Sequence, residues 1–277
     1  MNLPDIRIVP IDQVYIHEEI FRDKVHTIKK LMDYSGVQKN PILTVEHKGK
    51  FIVIDGMHRV AALKELGCRM IAVCVYDYYH PDLNLYGWSV LFYGPEEEKF
   101  IDLLRLITGV KVTREEINSV IRSVNERSGY FAVAFKDRDY AYLFHESGSR
   151  IETEDLMKID KNVMINIEQK GIRHRFIPDT NAFQVFRSDE DASALMIRPV
   201  YEKKEVIEFA LKRKLFPQKS TRHEIPDRPL WLNIPLTLLR ADIPVDVANE
   251  ILKAEIRYRW KQGRIRYYPE SVYIFDD

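Results

Sequence analysis

Cysteine is scarce in this chain, which has only Cys68 and Cys74 among its 277 residues. A disulfide framework or a structural zinc site needs more cysteine, or cysteine and histidine pairs at short spacing. Both kinds of site are therefore disfavoured. We interpret the two thiols as small side chains of the apolar core.

An excess of charge is also missing, because 42 Lys and Arg residues balance 42 Asp and Glu residues. Proteins that bind mainly to phosphate backbones usually carry a positive excess or a basic patch. Neutrality leaves nucleic acid possible but favours small ligands. An apolar content of 45% and a charged content of 30%, without low-complexity tracts, predict a globular protein with a substantial core.

Long hydrophobic runs are absent too, since no stretch of about 18 apolar residues occurs. The first residues, MNLPDIRIVP, do not follow the basic-then-apolar pattern of a signal peptide. We therefore expect a cytoplasmic protein that does not cross a membrane.

Apolar spacing predicts an α+β protein with a small unit at residues 1–82 and a larger mixed α/β unit at residues 83–277. In the first unit we expect strands at 6–9, 42–46, 51–54 and 70–76, and helices at 20–36 and 59–66. In the second we expect helices at 96–108, 113–127, 154–170, 203–214 and 245–261, and strands at 130–135, 140–144, 195–200 and 272–275. Thr113 and Glu116, spaced as a capping box, support the helix at 113–127.

One strand-to-helix junction, FIVIDGMHRVAALKELG, brings Asp55, Gly56, His58 and Arg59 together. Backbone N–H groups and the helix dipole at such a junction attract phosphate, and a glycine lets the ligand approach closely. Arg59 and His58 would add donors. Asp55 would repel a bare phosphate, which suggests Mg²⁺ or a hydroxyl-bearing substrate nearby. The simpler alternative is a tight turn followed by a solvated arginine.

The order strand, helix, hairpin, Gly-x-His-Arg, helix resembles the ParB/sulfiredoxin-like fold. Sulfiredoxins have a reactive cysteine directly before the His-Arg pair, where this chain has Met57. ParB-type partition proteins carry Gly-Glu-Arg-Arg and a later helix-turn-helix, and this sequence has neither pattern.

Within that superfamily the chain resembles the free-serine kinases over about residues 5–240, and to the C-terminus in bacterial members. Four segments carry the resemblance: an Asp-Gly-x-His-Arg turn, a His-Glu pair before the first helix, a tryptophan in an aromatic segment, and Lys-(Ser/Thr)-Thr-Arg-His. The matching residues are Asp55, Gly56, His58 and Arg59; His17 and Glu18; Trp88; and Lys219, Ser220, Thr221, Arg222 and His223.

The resemblance implies a kinase that moves a phosphoryl group from ATP or ADP to the hydroxyl of free L-serine, giving O-phospho-L-serine. It assigns Glu18 as the base. We expect Asp55 and His58 to be further catalytic residues and Asp55 to be the Mg²⁺ ligand. Glutamate is ionised at neutral pH, so Glu18 needs no raised pKa to accept a proton. Alternatively, Glu18 is a first-turn acid favoured by a helix dipole.

The remaining matched residues are expected to bind substrates. Nucleotide and phosphate binding is expected of Gly56, Met57, His58, Arg59, Lys219, Ser220, Thr221, Arg222 and His223. Serine binding is expected of Trp88, Thr221, Arg222 and His223. The alternatives are a basic surface loop at 219–223 and an ordinary core tryptophan at Trp88.

The chain also lacks a Gly-x-x-x-x-Gly-Lys-(Ser/Thr) loop, a Gly-x-Gly-x-x-Gly turn and a His-Arg-Asp loop. P-loop ATPase and protein-kinase folds are therefore disfavoured. The phosphate site must then be built from segments 55–59 and 219–223, which we expect to lie within one side chain's reach.

Two other functions compete with this interpretation. The stretch LKAEIRYRWKQGRIRYY interleaves basic and aromatic residues, as in some nucleic-acid-binding proteins, and suggests a ParB-like DNA-binding regulator. An amphipathic helix with a solvated basic face explains the same stretch. A nucleotide-binding scaffold without catalysis would not need Glu18. The long C-terminal part resembles bacterial members, some linked to siderophore precursors, which favours ATP; the sequence indicates no oligomeric state.

Overall fold

The N-terminal part of the chain forms a five-stranded sheet in the computed structural model, which describes residues 3–146 and 150–268. The elements of this part are strands β1 (Ile6–Pro10), β2 (Val14–Tyr15), β3 (Val37–Gln38), β4 (Ile42–His47), β5 (Lys50–Asp55) and β6 (Met70–Tyr76), and helices α1 (Arg22–Ser35) and α2 (Met57–Glu65). The strand order is β1-β6-β4-β5-β2. β4 and β5 form the expected antiparallel hairpin, while β4 runs parallel to β6 and β2 parallel to β5.

The middle of the chain forms a six-stranded antiparallel sheet. Its strands are β8 (Trp88–Tyr93), β9 (Lys111–Glu116), β10 (Phe131–Phe135), β11 (Tyr140–His145), β12 (His174–Pro178) and β13 (Ala192–Ile197), in the order β12-β8-β13-β10-β11-β9, and the short β7 (Asn84–Tyr86) precedes them. The helices here are α3 (Glu97–Thr108), α4 (Ile117–Asn125), α5 (Thr153–Gln169), α6 (Ala182–Ser188) and α7 (Lys203–Leu211).

Short elements close the described part of the chain: β14 (Arg222–Glu224), β15 (Ile234–Pro235), α8 (Leu236–Arg240) and α9 (Val245–Lys261). β14 pairs with β7, and β15 pairs with β3. Each pairing ties a late segment of the chain to a much earlier one. The chain is thus mixed α and β, as its apolar spacing predicted.

The predicted helix at 113–127 is wrong over its first residues. Residues 111–116 form β9, which pairs with β11 along its whole length, and the helix begins only at Ile117. The Thr113 hydroxyl donates to Glu115 at 2.7 Å, and the cap of α4 comes from Glu116, which accepts the Asn118 N–H at 3.2 Å. Cross-strand pairing therefore prevails over a local capping pattern.

Other element predictions mostly agree with the structure. The predicted strand at 195–200 begins earlier, as Ala192–Ile197, and the predicted helix at 203–214 ends at Leu211. The strand Trp88–Tyr93, which lies between β12 and β13, was missed. The strand predicted at 272–275 lies outside the described residues.

Apolar cores lie on both faces of the first sheet. One core contains β-strand residues such as Ile42 and Ile71 together with Leu239 and Leu252 from α8 and α9. The other contains Ile54 of β5 and residues of the second sheet and of α5 and α7. Because the C-terminal helices pack on the N-terminal sheet, a division of the chain at residue 82 stays a prediction. In the described ranges no helix combines the length and apolar character needed to cross a membrane.

Candidate active site

The site begins where residues 17–19 meet the segment that follows α7. The Phe216 N–H donates to the His17 carbonyl at 2.8 Å, and the Glu19 N–H donates to the Phe216 carbonyl at 2.9 Å. This short parallel pairing joins residues about 200 positions apart. It places Glu18 beside the segment 219–223, as the sequence interpretation required.

Glu18 is a buried carboxylate, 7% exposed, that faces Thr221. Its Oε1 accepts the Thr221 N–H at 2.6 Å and lies 2.5 Å from the Thr221 hydroxyl oxygen. Burial raises the pKa of Glu18 above the ordinary glutamate value, and the hydrogen bonds from Thr221 only partly offset this effect. In its ionised form Glu18 is therefore a stronger base than an exposed glutamate.

His17 lies behind Glu18 and is fully buried. Its Nδ1 is 2.7 Å from the Val53 carbonyl oxygen, and its Nε2 is 2.7 Å from the Thr221 hydroxyl oxygen. Burial lowers the pKa of His17 to about 4. The sequence comparison matched His17 to the family motif but gave it no role.

Arg198 and Asp160 support the loop that carries Lys219 and Ser220. Arg198 donates to the Lys219 carbonyl at 2.6 Å and forms a buried ion pair with Asp160 on α5, with 2.7 Å between Nε and Oδ1. Burial disfavours the charged form of Arg198, but Asp160 outweighs this effect and raises the pKa of the guanidinium. The Ser220 hydroxyl donates to the Pro217 carbonyl at 2.7 Å, so it serves the loop itself.

Sequence reasoning missed both members of this pair. A signal existed at Asp160, which falls at the spacing of the buried Leu156 and Val163 on the apolar face of α5. An acidic residue on such a face requires a partner. Arg198 has no comparable local signal.

Trp88 packs against the segment 219–223 and contacts Lys219 there. The Trp88 indole N–H donates to the Thr221 carbonyl at 2.9 Å, and the Lys219 ammonium lies 4.4 Å from the centroid of the Trp88 ring system. Burial and the charge of Lys24 lower the pKa of Lys219, although Glu18 and Asp55 act in the opposite direction. Trp88 thus contacts the 219–223 segment directly.

The 55–59 corner follows β5. Gly56 has a backbone φ of 105°, a value that favours glycine, and the chain turns there into α2 with the first N–H groups of the helix free of intrahelical partners. The His58 Nε2 accepts the Phe21 N–H at 3.1 Å, and its ring stacks on Phe21. Burial, Lys24 and Lys219 lower the pKa of His58. The charge of Lys219 thus acts on His58, and the close approach of the two predicted phosphate segments stays a prediction.

Arg59 has partners that the sequence did not suggest. Its Nη1 donates to the carbonyls of Pro41 at 2.8 Å and Asn40 at 3.1 Å, and its Nη2 lies 3.2 Å from the Asp55 Oδ2. Arg228, which sequence reasoning missed, donates to the same carboxylate oxygen at 2.9 Å. Arg59 therefore stabilises the turn, and a direct phosphate contact from its guanidinium stays a prediction.

The expected metal ligand is Asp55, whose Oδ2 is held by Arg59 and Arg228. Within the described residues there is no group of three or more His, Cys, Asp or Glu side chains that could hold a metal ion. Mg²⁺ usually binds one or two carboxylates together with substrate phosphates and water. One carboxylate matches that number, but two guanidinium groups already pair with Asp55, so its assignment as a Mg²⁺ ligand stays a prediction.

Arg222 and His223 lie on β14, opposite Tyr86 and Leu85 of β7. His223 is 8% exposed and its Nε2 is 2.8 Å from the Tyr78 hydroxyl. Arg222 is partly exposed, with its Nη2 3.9 Å from the nearest Glu224 carboxylate oxygen. Successive strand residues point to opposite faces. The two predicted binding residues therefore face different surroundings, and the accessible side chain is Arg222.

Comparisons with known proteins agree with this arrangement, although no known protein-family profile matches the chain. The chain is 24% identical over 237 residues to the ATP-dependent L-serine kinase of Staphylothermus marinus, covering 84% of this chain and 90% of that protein. It is 21% identical over 237 residues to the ADP-dependent L-serine kinase SerK of Thermococcus kodakarensis, covering 84% and 92%. It is 23% identical over 279 residues to the ATP-dependent L-serine kinase SbnI of Staphylococcus aureus, covering 98% and 97%.

Solved structures show the same fold. A free serine kinase in complex with AMP superposes with a TM-score of 0.70 at 20% identity, covering 86% of this chain and 95% of that one. SbnI with a C-terminal truncation, from Staphylococcus aureus, superposes with a TM-score of 0.71 at 20% identity, covering 94% and 97%. The resemblance inferred from the sequence motifs is thus confirmed: the chain has the fold of the free serine kinases and is similar to L-serine kinases over most of its length.

Proposed function

We propose that the protein is a nucleotide-dependent kinase that phosphorylates the hydroxyl of free L-serine and produces O-phospho-L-serine. The observation that carries the proposal is the position of Glu18, a buried carboxylate held by Thr221 within the segment 219–223. The charge of Lys219 interacts with Glu18, with Asp55 and with His58 of the 55–59 corner. We therefore infer that the base adjoins the phosphate-binding surface, as transfer to an alcohol requires.

In this reaction the serine hydroxyl donates its proton to Glu18 while its oxygen attacks the terminal phosphorus of the nucleotide. The loose transition state of phosphoryl transfer asks the protein mainly to position the reactants and to neutralise charge. The amide groups at the start of α2 (Gly56, Met57, His58) and the Lys219 ammonium supply positive potential to the phosphates. Asp55 would hold Mg²⁺, whose chemistry there is charge neutralisation on the phosphates.

Serine is expected to lie between Trp88 and Arg222. The Trp88 side chain is fixed through its bond to the Thr221 carbonyl, and the partly exposed Arg222 guanidinium is suited to the serine carboxylate. Thr221 and His223 belong to the predicted serine-binding set, but both are buried. Thr221 bonds Glu18 and His223 contacts Tyr78, so we propose that they support the site from outside the serine contact. The donor is proposed to be ATP, because the bacterial relative that spans nearly the whole chain is named as ATP-dependent.

The test is direct. Pure protein is incubated with L-serine, Mg²⁺ and either ATP or ADP, and O-phosphoserine is quantified. The expected result is product formation that depends on serine and nucleotide and is faster with ATP. An absence of product with both nucleotides would contradict the proposal, whereas product with ADP alone would overturn only the choice of donor.

A further inference from the structure

Glu18, Thr221 and His17 form a row of hydrogen bonds whose protons can be counted. The contacts are Nδ1 of His17 to the Val53 carbonyl, Nε2 of His17 to the Thr221 hydroxyl, and that hydroxyl to Oε1 of Glu18, at 2.7, 2.7 and 2.5 Å. Each contact requires one hydrogen. A neutral imidazole and a threonine hydroxyl together supply one fewer hydrogen than there are contacts.

The third hydrogen must be bonded either to the Glu18 carboxyl group or to Nε2 of His17. If it is on Glu18, the carboxyl donates to Thr221, and Thr221 donates to Nε2 of a neutral His17. If it is on His17, the imidazolium donates to Thr221, and Thr221 donates to an ionised Glu18. The Val53 carbonyl keeps the other ring proton on Nδ1 in both arrangements.

We propose that the Thr221 hydroxyl is a proton relay between Glu18 and His17, which delivers the proton of Glu18 to Nε2 of His17 and so frees the carboxylate to act as the base. This inference rests on the proposed serine kinase function for its catalytic meaning. His17 and Thr221 act through Glu18 and are therefore positioning residues. The hydroxyl gives one proton as it accepts the other, so the relay needs no net gain or loss at Thr221.

The surroundings determine where the proton rests. Burial raises the pKa of Glu18 and lowers that of His17 to about 4, so in the resting protein the proton is on Glu18. The charges of Arg198 and Lys219 favour the ionised form of Glu18. A hydrogen bond from the serine hydroxyl to Glu18 would favour it further. The charged or titratable groups that face the row are Arg198 and Lys219 beside Glu18, His223 against the edge of the His17 ring, and Tyr78 behind His223. Burial holds the pKa of His223 well below its ordinary value, so His223 stays neutral and does not oppose an imidazolium strongly.

The cycle balances. With His17 protonated, the serine hydroxyl proton moves to the free oxygen of Glu18 as the serine oxygen forms a bond to phosphorus and the bond to the leaving nucleotide breaks. The Glu18–His17 pair then holds one proton more than at rest. That proton leaves to solvent with the products, which matches the proton released when an alcohol is phosphorylated by a nucleotide.

The test uses full-length protein containing ¹⁵N-labelled histidine, in the wild type, Thr221→Val and Thr221→Ser. Valine keeps the shape of threonine without its hydroxyl, and serine keeps the hydroxyl. The His17 nitrogen signals are followed by NMR from pH 5 to 9 without ligand. An isolated histidine with a pKa near 4 has no transition in this range. We expect a His17 transition in the wild type and in Thr221→Ser, at the pH where the shared proton leaves, and none in Thr221→Val.

A flat wild-type titration, or a transition that persists in Thr221→Val, would overturn the relay. The titration needs no substrate, so it is independent of the proposed function. In the kinase assay Thr221→Val is expected to lower kcat about 10- to 100-fold, a part of the usual contribution of a general base, while Thr221→Ser stays within about 3-fold of the wild type. Adding His17→Gln to Thr221→Val should cause no further loss, because both changes break the same path. If the His17 transition depends on Thr221 but the protein makes no O-phosphoserine, the shared proton is supported and the proposed serine kinase function is refuted.

Discussion

The two halves of the site are built in different ways. The 55–59 corner comes from neighbouring residues at one turn, and its groups are partly exposed. The cluster of His17, Glu18 and Thr221 comes from residues more than 200 positions apart and is buried. The corner therefore suits the binding of an exchangeable, charged phosphate tail. The cluster suits chemistry that depends on a dry environment, where a proton's position is controlled by a few fixed groups.

The largest expected effect tests the buried cluster through Glu18→Gln. The amide oxygen of glutamine still accepts the Thr221 N–H, so the fold is kept while the base is lost. We expect kcat for O-phosphoserine formation to fall by about 10²- to 10⁴-fold, with the KM for nucleotide changed little. Steady-state kinetics measure both values.

The neighbouring Glu19→Gln is the matched control for this change. Glu19 is more exposed than Glu18 and pairs with Lys161. Its loss should leave kcat within about 2-fold, because an exposed ion pair contributes little. Equal losses in the two variants would mean that Glu18 has no special role.

The second prediction compares two buried ion pairs, one inside the site and one outside it. Asp160→Asn removes the partner of Arg198, and Glu205→Gln removes the partner of Arg127, which lies among buried groups of α5 and α7. Breaking a buried pair leaves a charge without compensation, so each variant should lower the free energy of unfolding by about 3–5 kcal/mol. Urea unfolding measures this loss.

Only the first of these variants should affect catalysis by the folded molecules. Arg198 holds the Lys219 carbonyl, so Asp160→Asn should lower kcat/KM at least about 10-fold. The assay contains no urea and is run at a temperature at which both variants are folded. Glu205→Gln should retain the wild-type value. If both variants keep full activity, the loop 219–221 does not depend on Arg198 for its position.

The same contrast explains how much the sequence predicted. Asp55, Gly56 and His58 were recognised because a strand, a glycine and a helix follow one another within a few residues. Their local geometry then follows from backbone rules. Glu18 and segment 219–223 were identified only through family motifs, since no local rule predicts that Thr221 bonds Glu18.

Arg198 and Asp160 belong to neither a motif nor a turn. Their roles arise from packing between α5, the end of β13 and the loop after α7, which sequence spacing does not determine. Arg59 shows a different limit of sequence reasoning. Its guanidinium was expected to bind phosphate, and the structure adds that one of its nitrogens donates to the carbonyls of Asn40 and Pro41. Backbone carbonyls near a turn need donors, and the sequence alone does not indicate which side chain supplies them.

The third prediction concerns the pH dependence of stability. The pKa of His17 is lowered to about 4 in the folded protein, so between pH 6.5 and 4 the unfolded chain binds a proton that the folded chain does not. The His17 contribution is complete above pH 6.5 and is lost as the pH falls, by about 3 kcal/mol in total. The raised pKa of Glu18 acts in the opposite direction, because its folded form binds the proton more tightly.

A difference measurement isolates the His17 contribution. Urea unfolding of the wild type and His17→Gln at pH 7 and pH 4 should show that the wild type loses about 3 kcal/mol more over this interval. His26→Gln, at an exposed position of α1, should follow the wild type. Parallel loss in all three proteins would show that His17 takes up protons as easily in the folded state as in the unfolded state.

The smallest expected effect tests the corner through Gly56→Ala. An alanine there must adopt a φ of about 105°, and its Cβ would lie 2.8 Å from the Arg59 Nη2. Gly67→Ala is the matched control, since Gly67 also has a positive φ, 73°, but no atom lies within 4 Å of the added carbon. Both changes should destabilise by about 1 kcal/mol through the backbone, and Gly56→Ala by about 1 kcal/mol more through displacement of Arg59. Phosphates that approach the backbone at Gly56 would meet the added methyl group, so only Gly56→Ala should raise the KM for nucleotide. An unchanged KM would place the phosphates away from the start of α2.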